Sequence, residues 1–265
     1  MKKIQYQLRK NALTIGVSVF LSMSLSLLFF KYAFLNNPGF LLDAIKANPK
    51  PFFEGVQEIQ KLKFEEEQLQ KKAALRVKEL NQPVQPNVVG RAAKPGSLPG
   101  APVTIVIYSN FQCPQCALIT KRIDELMALY PEKLQVYYKH APGDKLSFDQ
   151  ARVFEAFALQ DPYAAWKVHN YMFKNRALIR GGGIDLLYAE LRNRGYDINR
   201  LKADMLSQTV RDAIRIDNNE ISEFKIKFTP TGFINGVRLV GGVPLNEYKQ
   251  LIDLALLKNQ IEEKK

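Results

Sequence analysis

Apolar and polar positions fall into four regimes along the chain. Ala12 to Phe30 is a run of 19 residues without a charged side chain. Coiled as a helix at about 1.5 Å per residue it would span roughly 28 Å, close to the hydrocarbon thickness of a bilayer. Asn36 to Leu80 is polar and punctuated early by Pro38, Pro49 and Pro51. Its pattern predicts a short helix over Asp43–Ala47 and a long one over Phe52–Leu80, in which Phe52, Val56, Ile59, Leu62, Leu69 and Ala73 trace an apolar stripe. Glu66 and Arg76 interrupt a strict heptad seam, so a regular coiled coil is not indicated. Asn81 to Pro102 is rich in proline and glycine and reads as a linker, with Val88–Val89 as a short leading strand.

Past Pro102 the pattern becomes that of a folded domain. Val103–Tyr108 is β-branched and uncharged, as a buried strand requires. Pro114–Tyr130 carries Leu118, Ile119, Ile123, Leu126, Met127 and Tyr130 at helical spacing, and Leu134–Lys139 predicts a second strand. Helices are then predicted over Phe148–Leu159, Pro162–Asn175, Ile184–Arg194 and Ile198–Ile221, with the Gly181–Gly183 triplet as a hinge or break. Asn235–Gly236 between Thr231–Asn235 and Val237–Val240 signals a hairpin, and Leu245–Glu262 a last amphipathic helix. A β-α-β half and a β-β-α half with helices between them is the thioredoxin arrangement. The expected class is therefore α/β, a thioredoxin fold with an inserted helical domain, preceded by a transmembrane helix and a helical stalk. The expected boundaries are 1–11 for a cytoplasmic basic tail, 12–35 for a signal anchor, and 36–80 for the stalk. The linker and leading strand take 81–102, and the catalytic domain 103–262, with its helical insertion at 148–223.

Charge sharpens the compartment more than the partners. The formal net charge is +12, and Lys2, Lys3, Arg9 and Lys10 precede the apolar run while Lys31 follows it. That bias keeps the N-terminus cytoplasmic and the rest on the extracytoplasmic, periplasmic side. A cleaved signal peptide is the competing reading, with the same outcome for the C-terminal domain. The other basic residues form no stripe interleaved with aromatics, so nucleic-acid binding is not expected. Between Glu54 and Leu80 six acids meet six bases, which suits either a solvated spacer or a self-associating helix that buries the stripe.

Cys113 and Cys116 are the only cysteines, so no structural disulfide framework exists. Cys113-Pro114-Gln115-Cys116 falls where a strand turns into a helix. A thiol at a helix N-cap faces unpaired N–H groups and the positive end of the dipole, which stabilise a thiolate. Pro114 suits the first helical position because its missing N–H costs nothing there. Such pairs lower the first thiol's pKa, and a stabilised thiolate makes an oxidising disulfide. An inert staple and half of a zinc site are the alternatives. Zinc normally needs four ligands, and only His140 and His169 are at hand. No cofactor or metal is expected beyond the redox pair itself.

Phe111-Gln112-Cys113-Pro114-Gln115-Cys116 resembles the active-site stretch of DsbA/DsbG-like oxidoreductases. Phe228-Thr229-Pro230-Thr231-Gly232-Phe233-Ile234-Asn235-Gly236 is similar to their cis-proline segment, and the likeness runs from about Val88 to Lys258. It implies a cis bond between Thr229 and Pro230 facing the cysteines, with the Thr229 backbone pairing with a client strand. It implies formation or isomerisation of disulfides in exported cysteine-containing proteins, served by a membrane redox partner. Leu41 to Pro49 and the charged helix after it are similar to the oligomerisation segment of ScsC-like members, which implies a homo-oligomer through 36–80. Many relatives carry an acid six positions before the first cysteine; here that residue is Ile107, and Asn110 replaces a second acid. Without the buried acid the pair should be oxidising, its inner thiol slow to deprotonate. The rival to an enzyme is a membrane-anchored binding or assembly scaffold on the same fold. His169, Trp166, Tyr163, Tyr171 and Phe173 read as packing residues, His140 as structural or solvent-facing with the rim of the active site as the alternative, and Lys121 and Arg122 as a solvated helix face.

Overall fold

The computed structural model describes residues 38–262. The expected basic tail, 1–11, and the whole of the expected signal anchor, 12–35, lie outside the described residues, and no described helix is long and apolar enough to cross a membrane. The order is α1 (Pro38–Ala47), α2 (Pro49–Asn81), β1 (Val103–Ser109), α3 (Pro114–Leu129), β2 (Leu134–His140) and α4 (Lys145–Gln160). It continues with α5 (Pro162–Lys174), α6 (Arg176–Asn193), α7 (Ile198–Asp204), α8 (Gln208–Glu223), β3 (Thr231–Ile234), β4 (Val237–Val240) and α9 (Leu245–Glu262). The chain divides into two units within α2, at Lys72 and Ala73. In the first, Phe52, Phe53, Ile59, Leu62, Phe64 and Leu69 stand exposed on α2.

The second unit is built on a four-stranded sheet of order β2-β1-β3-β4. β1 runs parallel to β2, from Val103 beside Leu134 to Ser109 beside His140. β3 is antiparallel to both β1 and β4. β1 is apolar on both sides because both sides are covered. Ile105 and Ile107 pack with Ile119, Ile123 and Leu126 of α3 and with Tyr248 and Ile252 of α9. Val106 and Tyr108 pack on the other face with Phe233, Val84, Val88 and Phe224. The third core fills the helical block, where Phe154, Phe157, Trp166, Met172, Leu187 and Leu201 meet Phe111 and Cys116.

Both sheet edges are covered, which removes a template for pairing with another chain. At β4 the Arg76 guanidinium donates to the Arg238 carbonyl at 2.8 Å, and the Arg238 amide donates to the Glu79 carboxylate at 3.3 Å. At β2 the Lys94 amide donates to the Val136 carbonyl at 2.8 Å, and the Val136 amide to the Ser97 hydroxyl at 3.0 Å.

Two local expectations need correction. Val88–Val89 forms no strand: Val88 packs inward, but Val89 is exposed and Gly90 turns the chain with φ +71, so the one bridge comes later, at Ala93 beside Tyr137. The glycine triplet does break the helical run, as expected, at its last residue. α6 runs through Gly181 and Gly182 and kinks only at Gly183, whose φ of 70 and ψ of −166 suit a residue without a Cβ. The helix expected over Ile198–Ile221 is two, because the Ser207 side chain accepts from the Val210 amide and starts α8 afresh. In addition, α4 begins at Lys145 rather than Phe148. Asp144 and Ser147 bond each other's backbone there in a capping box.

A buried charge cluster joins the helical block to the sheet. Arg91 pairs with Glu155 and Asp217, and Lys139 with Glu220 and, at 3.2 Å, with Asp217. His140 Nε2 lies 2.8 Å from the Glu155 carboxylate, and the His140 amide donates to Asp217 at 2.8 Å. The Tyr108 hydroxyl donates to Glu220 at 2.7 Å. Burial, the largest influence on Glu155, opposes its ionisation, yet His140 and Arg91 outweigh it and hold its pKa below the ordinary value.

Candidate functional site

Cys113 occupies the N-cap of α3 in extended conformation, with Pro114 in the first turn and no side-chain cap bond. The sulfur stands where a serine or aspartate oxygen would cap. Its backbone is fixed by the Cys113 amide donating to the Asn110 carbonyl at 3.0 Å, and the Gln112 amide donates to the Asn110 side chain at 2.7 Å. Gln112 is buried and donates to the Gln150 side chain of α4 at 2.7 Å, while Arg176 of α6 donates to the Gln112 carbonyl at 3.3 Å. The helical block thus holds the approach to the cysteines from behind.

The two sulfurs have different settings. Cys113 is half-buried, and its sulfur lies 3.4 Å from the Thr229 carbonyl oxygen across the site. The Thr229–Pro230 bond is cis. Cys116 is fully buried, one helical turn on, and its sulfur accepts from the Asn110 amide at 3.5 Å. The two are not joined in a disulfide. A hydrogen bond from Cys116 is the largest influence on Cys113 and holds its pKa at about 5. Burial opposes this, while the Thr229 side chain and the Cys116 and Gln115 amides add to it. Cys116 is pushed in the other direction, first by burial and then because it is the donor to Cys113. At neutral pH the pair therefore holds one half-buried thiolate and one fully buried thiol.

The structure brings Cys113, Pro114, Cys116, Thr229 and Pro230 together; Gln115 is exposed beside the β4–α9 loop. Gly242 of that loop lies against the end of the Gln115 side chain, where a Cβ would meet its oxygen at 2.4 Å unless the exposed side chain turned away. Phe228, beside Thr229, and Leu118, in the first turns of α3, expose apolar surface.

Arg122 is not a solvated helix-face residue. It donates to the Gly242 and Val243 carbonyls at 2.8 and 2.7 Å and ties α3 to the loop after β4. Gln150, Arg176 and Gly242 support the site without any local motif to announce them. His169 is buried among Phe111, Tyr138, Trp166 and Phe173, and burial lowers its pKa to about 3, so it is a neutral packing residue. Trp166 and Phe173 are core residues as well, whereas Tyr163 is exposed. No cluster of metal-ligating side chains occurs among the described residues.

A family model described as "Thioredoxin" matches residues 98–254. Among curated proteins, the chain is 30% identical over 145 residues to the Na(+)/H(+) antiporter NhaA 1 of Mycolicibacterium gilvum, covering 53% of this chain and 23% of that protein. The corresponding antiporter of Salinispora arenicola is 30% identical over 142 residues, covering 52% and 21%. The chain thus spans under a quarter of these relatives' length. Among solved structures, alpha-DsbA1 from Wolbachia pipientis superposes with a TM-score of 0.57 at 16% identity, over 69% of this chain and 98% of that one. BdbD from Bacillus subtilis gives 0.54 at 18%, over 66% and 97%. A thioredoxin-like oxidoreductase from Silicibacter pomeroyi gives 0.54 at 20%, over 63% and 92%. At these identities the likeness speaks for the fold.

Proposed function

The chain belongs to the thioredoxin family and has the fold of its DsbA-like members, and on that premise we propose that it is a protein thiol–disulfide oxidoreductase working through Cys113 and Cys116. The observation that carries this reading is the division of labour between the sulfurs: one ionised at a helix N-terminus against the Thr229–Pro230 loop, one protonated beneath it. An ionised, accessible thiol is a nucleophile at neutral pH, and a buried thiol one turn on is placed to resolve the mixed disulfide that results. In the oxidising direction a client thiolate attacks the Cys113 sulfur of the Cys113–Cys116 disulfide. Cys116 leaves, and a second client thiol then displaces Cys113. In isomerisation reduced Cys113 attacks a client disulfide instead. The exposed Phe228 and Leu118 suit contact with unfolded, apolar client segments, and the Thr229 backbone suits pairing with an extended one.

The clients in this reading are exported cysteine-containing proteins, and a membrane redox partner resets the pair. The support is the charge-free run Ala12–Phe30 behind four basic residues, which as an anchor would hold the domain on the periplasmic side, where disulfides persist. The test is reactivation of scrambled and of reduced ribonuclease. Acceleration of either by the purified protein supports the enzyme, and the faster of the two gives its direction. Binding of unfolded clients with no acceleration would favour the scaffold.

Self-association through 36–80 belongs to the same proposal. It is supported by the exposed apolar residues of α2, which an isolated helix in water would leave unburied. A chain beginning at Pro38 should be an oligomer by light scattering, and one beginning at Ala73, which keeps Arg76 and Glu79 on the β4 edge, a monomer. A monomer in both cases would contradict self-association.

A further inference from the structure

Exchange at Cys113 requires Cys116 to become a thiolate, as nucleophile in one direction and as leaving group in the other. No acid is placed beneath it in β1, where Ile107 packs against Ile119 and Ile123. Two hydroxyls lie on this face instead. Side chains alternate along a strand, so Ser109 shares the face of Ile107, while Tyr108 turns to the opposite side with Phe233 and Phe224. Tyr138 is the β2 partner of Ile107 and lies in the same core cluster as Cys116. Ser109 is 1% exposed and Tyr138 5%, and neither hydroxyl oxygen has a hydrogen-bond partner of normal geometry. Buried hydroxyls are nearly always paired, so two uncommitted ones around one buried thiol call for a reason. Ser109 reaches both groups, lowering the pKa of Cys116 and of Tyr138 against the upward push of burial.

We propose that Ser109, backed by Tyr138, is the hydrogen-bond donor that stabilises the Cys116 thiolate during exchange. This deepens the oxidoreductase reading and rests on it. In the resolving step the Cys116 thiol gives up its proton to solvent water, and its sulfur attacks the Cys113 sulfur of the Cys113–client disulfide. The Cys113–Cys116 bond forms, the Cys113–client bond breaks, and the client leaves as a thiolate that takes up a proton. The dithiol loses two electrons and the client disulfide gains them. The Ser109 O–H, uncommitted in the dithiol, turns toward sulfur as charge develops there. A neutral hydroxyl donor does this without a fixed negative charge that would oppose either thiolate.

The test uses the full chain, reduced, and the chromogenic disulfide dithiobis(nitrobenzoate). The first thionitrobenzoate released reports attack by Cys113, and the second reports displacement by Cys116. In Ser109→Ala the first release should keep the wild-type rate and pH profile while the second slows about tenfold or more, as loss of a hydrogen bond to a charged group implies. Ser109→Thr should restore it, and Tyr138→Phe should slow it by a smaller factor. An unchanged second release in both Ser109→Ala and Tyr138→Phe would overturn the proposal. If wild type itself gave no second release, the oxidoreductase reading would fail first, and the two failures are thereby distinct.

Discussion

Replacing Cys113 with serine is expected to lower reactivation of scrambled or reduced ribonuclease by about three orders of magnitude or more, to the rate without protein. A serine hydroxyl at the N-cap of α3 would enjoy the same amides but would not ionise near neutrality, and oxygen forms no disulfide. Cys116 cannot substitute, because it is fully buried and its pKa is pushed up by that burial. Cys116→Ser should fail differently. Cys113 would still attack, but the mixed disulfide would lose its internal escape and accumulate as a covalent client complex visible on a non-reducing gel. Cys116→Ala, which also removes the hydrogen-bond donor that most stabilises the Cys113 thiolate, should raise the pKa of Cys113 from about 5. Activity surviving in Cys113→Ser would favour the scaffold.

Arg91→Met is expected to cost roughly 3–5 kcal/mol of stability, the range for removing one partner from a buried ion pair. Arg91 comes from the linker and reaches two carboxylates of the helical block, Glu155 on α4 and Asp217 on α8, all nearly inaccessible. Methionine fills similar volume but leaves Glu155 with His140 alone and Asp217 with Lys139 and the His140 amide, without the cation that bridges the two carboxylates. Measured against a typical total of about 5–15 kcal/mol, the loss is large, and urea unfolding would show it as a lower midpoint. The pH dependence has a definite sign. Glu155 has a lowered folded pKa, so its contribution is full above the unfolded value near 4.3 and is lost as pH falls through the folded one. The penalty of Arg91→Met should therefore be largest at neutral pH and shrink in acid. A loss below about 1 kcal/mol at neutral pH would mean that the cluster relaxes around the missing guanidinium.

What could be read from the sequence was what is local. Cys113, Pro114 and Cys116 announce themselves because strand, turn, proline and helix are contiguous. The hairpin at Asn235–Gly236 does so because both residues take positive φ. The pieces that escaped are those assembled by register and by long-range bonds. Ser109 and Tyr138 acquire meaning only when β1 and β2 align, with Ile107 beside Tyr138. Arg122 reads as an ordinary helix-face arginine until its two carbonyl partners, on the far side of β4, are seen. Arg91 lies in a linker of prolines and glycines, and no periodicity marks it as the centre of a buried cluster. His140 reads as structural or solvent-facing, and its carboxylate partner Glu155 sits on another element. The Val88–Val89 misreading has the converse cause: two β-branched residues suggest a strand, but only one of them faces a core.

The central claim is that the Cys113 sulfur is ionised at neutral pH. Reduced protein treated with iodoacetamide across a pH series tests it directly, since Cys116 is buried and leaves Cys113 as the reacting group. The alkylation rate should rise with a midpoint at about pH 5 and be flat by neutrality. A midpoint at the ordinary thiol value of about 8.5 would contradict the account.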